Sequence, residues 1–528
     1  MTRLTFISLW LLTTVSLVLF WLYQDKPYPP SAPKFEGTTN TGKTHDKQST
    51  SSLTQSLERN LIQNRASDLE ILRRLSMALT GTIPSVEWIR DYEAWPEDQR
   101  ISLALERIFG DRRSSDYLAE RFARAFVGVE NGPFLVYRRR RMVDDLSEMI
   151  HANRPYDQIV KKLITAKGIW TSKPEVNFLT ATIDPNNDKE GPDEIKLAAR
   201  VSRAFLGIRI DCVQCHNDMF GDRWKQKDFH QMASFFSGAE MSLTGLIESE
   251  KPYKYRYKRQ PAPALVPPQV PFNESLLPAE GSLRERLAAW VTHPENKPFA
   301  RALVNRVWAM MFNKPLVNPV DSIPVEGPFP EALESLANEA IASGFDLRHL
   351  ITMIANSSRF QITSRTLDQS ETPPFPMTRL RPEQVAGSII QSASLETVDA
   401  DSHILSRVIR ILQQSEFIKR YGDAGEDEFV GTGGTIPQRL TVMNGKLVEE
   451  RTEENLVMNA ATRIGALAPN DSVAVEMAYL ATLTRRPTES ETQYFTNRFR
   501  GKKKKKRATE MQDLFWSLIN STEFAWNH

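Results

Sequence analysis

The chain has 528 residues, 41% of them hydrophobic and 25% charged, a composition that excludes a low-complexity polymer and leaves room for a sizeable core. Lysine and arginine number 67 against 65 acidic residues, so no net charge draws the chain to nucleic acid or anionic lipid, and any electrostatic partner site is local. Both cysteines lie in one pentapeptide, so none remains elsewhere for a disulfide framework.

In chain order, the first signal is Leu4 to Tyr23, an uncharged run of 20 residues preceded by Arg3 and followed by Asp25 and Lys26. A bilayer core takes about 20 apolar residues in a helix. No small-x-small cleavage site follows, so 4–23 is expected to be an uncleaved transmembrane signal anchor. Arg3 and the free amine favour the inner side, which puts the bulk of the chain on the extracytoplasmic, periplasmic side. Residues 24–64 are rich in Pro, Ser, Thr, Gly and Lys and read as a disordered tether.

From Ala66 the pattern is helical, with Leu69, Leu72, Leu75 and Leu79 repeating at three or four. Thr80 to Ser85 breaks it, and Ser85 with Trp88 starts the next helix. Further helices are expected over 101–108, 116–127, 137–151, 157–165, 194–206 and 229–236. Five prolines between Pro261 and Pro271 mark 248–280 as a linker between two helical domains, 66–247 and 281–528. Within it, Tyr253 to Lys258 alternates aromatic and basic residues, so it is expected to be extended with one face of each kind. The second domain offers helical patterns over 283–291, 299–312, 330–342, 347–354, 382–394, 405–420, 445–464, 472–483, 489–499 and 510–519. Strand signals are few. The fold class is therefore mainly α: a multihelical two-domain protein behind an N-terminal transmembrane helix.

The chemistry is concentrated in Cys212-Val213-Gln214-Cys215-His216. This is the Cys-x-x-Cys-His pattern of covalent haem c attachment, in which each thiol adds to a haem vinyl group and the histidine is the proximal iron ligand. Phe205, Leu206, Ile208, Phe220, Trp224, Phe229, Phe235 and Phe236 would supply apolar walls. The sixth ligand is open: Met219, His230, Met232 and Met241 are near in sequence, and Met142, His151, Met310 and His349 are remote candidates. A thiol redox pair or local disulfide is the competing reading, and a metal site has no second pair of ligands at suitable spacing.

Other motifs have structural readings beside functional ones. Arg138 to Arg141 would bind an anion or start a helix and pair with Asp144 and Asp145. Lys502 to Arg507, six cations in a row, is expected to be a solvated loop between helices. Arg301, Asn305, Arg306 and Trp308 share one helix and either line a polar cleft or bind helix ends and the first domain.

Several collinear stretches carry a resemblance. Leu75–Ser85, Asn153–Asp157, Ala166–Gly168, Asn177–Leu179, Phe205–Gly207 with the cysteine motif, and Lys227–Phe229 resemble the planctomycete cytochrome-like domain PSCyt2 (DUF1549). Leu287–Val291, Asn296–Arg301, Val304–Trp308, Leu316–Asp321, Gly344–Leu347, Asn356–Phe360 and Leu518–Phe524 resemble its usual companion, PSD1 (DUF1553). The resemblance covers about Leu69 to His528 and brings no established activity. The family commonly has a second histidine two places after the motif histidine, where this chain has Asp218.

The expected function is a membrane-anchored extracytoplasmic c-type cytochrome-like protein. It would carry one covalent haem on Cys212, Cys215 and His216 and pass electrons in the envelope to a redox partner protein, with no nucleic-acid partner. One alternative is a non-haem envelope scaffold with a local disulfide. Another is a haem- or metal-dependent enzyme acting on an exported polymer.

Overall fold

The structure, a computed structural model, describes residues 64–528 apart from 130–135, 185–190, 219–222, 259, 366–373, 399–413, 423–428, 430–433, 457–458 and 504. The anchor expected over 4–23 and all of the tether before residue 64 lie outside the described residues, as do Met219 and Phe220. Among the described residues no helix is long and apolar enough to cross a membrane.

The described chain is mainly helical, as its apolar periodicity predicts. Helix α1 (Asp68–Thr80) opens with a capping box between Ser67 and Glu70 and ends at Gly81 in the left-handed region. Its leucine stripe is buried. Helix α2 (Val86–Ala94) begins where the Ser85 hydroxyl accepts from the Trp88 amide, 3.0 Å away. There follow α3 (Arg100–Gly110), α4 (Arg112–Val127), α5 (Arg139–His151), α6 (Tyr156–Ile164), the single turn α7 (Asn177–Thr180), α8 (Glu194–Phe205) and α9 (Gln226–Ala233). The later part contributes α10 (Leu283–Val291), α11 (Lys297–Phe312), α12 (Glu331–Ala342), α13 (Leu347–Asn356), α14 (Ser358–Gln361) and α15 (Pro382–Ser392). The last group is α16 (Ile436–Asn444), α17 (Lys446–Thr452), α18 (Ala460–Leu467), α19 (Asp471–Leu483), α20 (Glu489–Phe499) and α21 (Lys505–Ile519). Residues 414–421, the described end of the helix expected over 405–420, are helical.

Strands are few and short. β1 (Ala239–Ser242) pairs antiparallel with β2 (Gly245–Glu248), β3 (Lys254–Tyr255) with β4 (Ala264–Leu265), and β5 (Thr378–Arg379) with β6 (Trp526–Asn527). The proline-rich stretch lies on the body, with Tyr253, Val266 and Val270 buried.

Two expectations are corrected. The single helix expected over 445–464 is two, α17 and α18. Between them buried Asn459 donates from Nδ2 to the carbonyls of Glu450 and Glu453, at 3.0 and 2.9 Å, so side-chain bonds replace the helical ladder. The lysine run is not all loop. Helix α21 starts at Lys505, Lys502 pairs with Glu510, and Arg507 reaches Asp471, so cations opposite acids are drawn into structure.

Arg59 to His528 forms one compact unit. Helix α1 packs on α3, α4 and α11, so it belongs to the core of both halves. Its two arginines are fully buried. Arg74 donates to the carbonyls of Phe360 and Ile362 at 2.8 and 2.7 Å and to that of His528 at 2.9 Å. Its guanidinium lies 3.8 Å from the Phe375 ring centroid. Arg73 reaches the carbonyls of Phe524 at 3.3 Å and Thr482 at 3.5 Å. A second buried junction joins α4 to α15. Glu383 accepts from Arg121 and from Arg381, each at 2.9 Å, and Arg381 also meets the Tyr117 hydroxyl. Burial alone would raise the Glu383 carboxyl, but the Arg121 and Arg381 charges overcome it and hold the pKa at about 2.

Candidate functional site

The cysteine motif sits between α8 and α9 on a single 3₁₀ turn, Asp211–Gln214. Cys212 lies within the turn, Cys215 caps its end and His216 follows. Both thiols are free and exposed, and so is His216. Val213 between them is fully buried and anchors the turn in the core.

The approach to the turn is fixed by the second half of the chain. Gly207 has φ +65°, and a Cβ there would stand 3.2 Å from that of Ala302 and 3.0 Å from Ile323 Cδ1, so only glycine suits both the backbone and the close approach. The Ile323 amide donates to the Gly207 carbonyl at 2.7 Å. Asp321 accepts from Arg203 and Arg209, each at 2.9 Å. Burial opposes ionisation of Asp321, but hydrogen bonding to Arg209 and the charge of Arg203 hold its carboxyl below the usual range.

The far side of the turn is fixed by α9. The Gln214 carbonyl, between the two cysteines, accepts from Gln226 Nε2 at 3.0 Å and from His230 Nε2 at 3.1 Å. A carbonyl only accepts, so His230 carries its proton on Nε2, and Nδ1 accepts from the Tyr253 hydroxyl at 3.0 Å. His230 is fully buried and stacks on Tyr255 at 3.5 Å between centroids. Burial pushes its pKa below the ordinary histidine value, outweighing the opposite pull of the Gln214 carbonyl. The aromatic face expected for 253–258 is thus the one packed on His230, while Lys254, Arg256 and Lys258 are exposed.

His216 has the opposite tautomer. Its Nδ1 is 2.7 Å from the Asn217 carbonyl and must donate to it, which leaves the Nε2 lone pair for a ligand. The Asp218 amide donates to the Trp224 carbonyl at 2.8 Å. Among the described residues no group of three or more His, Cys, Asp or Glu is arranged to hold a metal ion.

Two exposed thiols at and just after one turn, followed by an imidazole whose Nδ1 is engaged, fit the attachment and proximal ligation of a haem. The expected apolar walls do not fit it. Phe205, Leu206, Ile208, Phe229, Phe235 and Phe236 are buried in the protein's own core, Phe205 against Phe126 and Phe178 at 5.0 and 5.5 Å. Trp224, half-buried, faces Phe272. The sixth-ligand candidates are committed too. Met142, Met232 and Met310 are buried, and Met241 packs on the core from β1. His151 meets the Ser115 hydroxyl at 3.1 Å, and His349 meets Glu339 at 2.8 Å.

The other sequence motifs resolve into packing. Arg140 pairs with Asp144 at 2.9 Å, Arg139 with Glu120, and Asp145 with Lys162. Arg301 holds Glu334, and Asn305 holds the loop after α11, donating to the carbonyls of Val317 and Val320 and accepting from the Val317 amide. Trp308 stacks on Phe312 at 4.1 Å. Sequence reasoning missed the Gln226–His230 grip on Gln214. Its one signal was the spacing of two polar side chains four apart, on one helix face, soon after the motif.

Two family models match the chain. Residues 52–241 match PSCyt2, described as a protein of unknown function (DUF1549), and residues 283–420 match PSD1, described likewise (DUF1553). No curated protein and no solved structure matches it.

Proposed function

We propose that this chain, a protein with a PSCyt2 domain followed by a PSD1 domain, carries a c-type haem at its surface on Cys212, Cys215 and His216 and exchanges electrons with a redox partner protein. The observation that carries this reading is the pair of free, exposed thiols on one turn beside an imidazole whose Nδ1 is already engaged. A bound haem would supply a reversible one-electron iron centre.

The chain's own residues account for the attachment. Cys212 and Cys215 would hold the group through their sulfurs, each thiol adding S–H across one vinyl double bond with no net oxidation or reduction. Both cysteines must therefore be reduced when they react. Val213 in the core and the gripped Gln214 carbonyl hold the turn while the sulfurs face outward. The neighbouring aromatic side chains are spent on the core, so Cys212, Cys215 and His216 would hold the group at the surface. In the same reading, residues 4–23 anchor the protein in the membrane and the remainder works on the extracytoplasmic side.

Those buried aromatic side chains also favour a second reading, an envelope scaffold in which the pair is a dithiol or local disulfide. One experiment separates the two. The full chain is expressed with cytochrome c maturation, denatured, and measured as its pyridine haemochrome beside Cys212→Ala/Cys215→Ala. A c-type spectrum in the wild type alone is expected. Folded wild-type protein without that spectrum would overturn the haem reading and leave the scaffold.

A further inference from the structure

The carbonyl between the two cysteines has both lone pairs filled by side chains four residues apart on α9: Gln226 Nε2 at 3.0 Å and His230 Nε2 at 3.1 Å. Neither donor is placed by chance. His230 is fully buried, stacked on Tyr255, and fixed in its tautomer by the Tyr253 hydroxyl. Gln226 starts α9, and its amide donates to Asn217 Oδ1 at 2.9 Å, so the same helix end also holds the residue after His216. An ordinary carbonyl at the surface is satisfied by water, whereas this one is gripped twice from within, at the centre of the two-residue spacer.

From this we infer that Gln226 and His230 are positioning residues that hold the Cys212–Cys215 turn in its dithiol form and oppose closure of the disulfide. Closing a disulfide demands a narrow range of Cβ separation and dihedral angle. Any turning of the spacer's peptide groups toward that range moves the Gln214 peptide, which two donors hold. Its rotation would leave a buried imidazole N–H without a partner, a cost set against the disulfide alone. The inference deepens the haem reading, because vinyl addition needs both thiols free, but its measurement does not depend on haem.

The step under test is thiol–disulfide exchange with glutathione disulfide. Cys212 and Cys215 together lose two electrons and two protons as their S–S bond forms, and glutathione disulfide takes them up as two thiols. The haem-free full chain is equilibrated in glutathione buffers, trapped by alkylation and read by mass spectrometry. Gln226→Met keeps the side-chain length and loses the donor. His230→Phe keeps a stacked ring and loses both hydrogen bonds. Each is expected to shift the equilibrium toward disulfide, by about tenfold for His230→Phe, which is about 30 mV more negative for a two-electron couple. A purely structural role would lower the melting temperature and leave the equilibrium unmoved. Folded Gln226→Met with a wild-type equilibrium, or a shift toward dithiol, overturns the inference, and that variant decides alone if His230→Phe does not fold. Absence of a haemochrome in the earlier experiment would remove the haem reading and leave this result standing.

Discussion

The cysteine turn and the α4–α15 junction solve opposite problems. At the turn, reactive groups face water while Val213 and the Gln214 carbonyl are anchored inward. At the junction, Arg121, Glu383 and Arg381 are removed from water together beside a half-buried Tyr117, and each charge survives there because another faces it. On the proposed function, the difference separates where this chain would keep its chemistry from where it keeps its stability. Substitution at the turn should cost function without fold, and substitution at the junction should cost fold first.

The largest effect is expected at the junction. Glu383→Ala leaves two guanidinium groups facing each other in the core and should destabilise the chain by about 3–5 kcal/mol in urea unfolding at neutral pH. Glu383 is held at about 2, below its unfolded value, so its contribution is full above the ordinary carboxylate range and is lost as pH falls through about 2. The gap between wild type and variant should therefore narrow as pH falls from about 4 toward about 2. A gap unchanged over that window would show that Glu383 acts by packing rather than by charge.

A smaller effect is expected for Asn305→Leu, which keeps the volume but removes the bonds to Val317 and Val320. It should cost about 1–3 kcal/mol. Neutral behaviour in the same unfolding measurement would mean that the loop after α11 is held by its apolar contacts alone. The smallest change belongs to the turn: Cys212→Ser/Cys215→Ser should alter stability by no more than about 0.5 kcal/mol. A loss several times larger would erase the contrast between the two regions and make the turn part of the scaffold.

Periodicity made most of the helices legible. The leucine stripe from Leu69 to Leu79 and the Ser85 cap both stand where their spacing put them. The break between α17 and α18 was not legible, because it rests on one buried asparagine whose donors reach backward along the chain. The position of the motif was readable, since it is defined by residue identity and short spacing. Its surroundings were not. Phe205, Phe229 and Phe236 have the composition of a porphyrin pocket or of a core, and only the packing of distant segments such as α4 and α7 assigns them to the core. The buried arginines were likewise invisible: their partners are mostly carbonyls, which every residue has.

Arg73 and Arg74 also dictate an order of events. Arg73 bonds to Phe524 across 451 positions of sequence, and Arg74 spans 286 to reach Phe360. During synthesis from the N-terminus, α1 is available long before either partner exists. Its leucine stripe can collapse early, but Arg74 waits for the carbonyls of Phe360 and Ile362, and Arg73 for those of Thr482 and Phe524, until those segments have emerged. Contacts this distant slow folding and lengthen the time that partly formed surfaces are open to wrong association. Helix α1 is therefore completed late, by segments about 290 to 450 positions further along the chain.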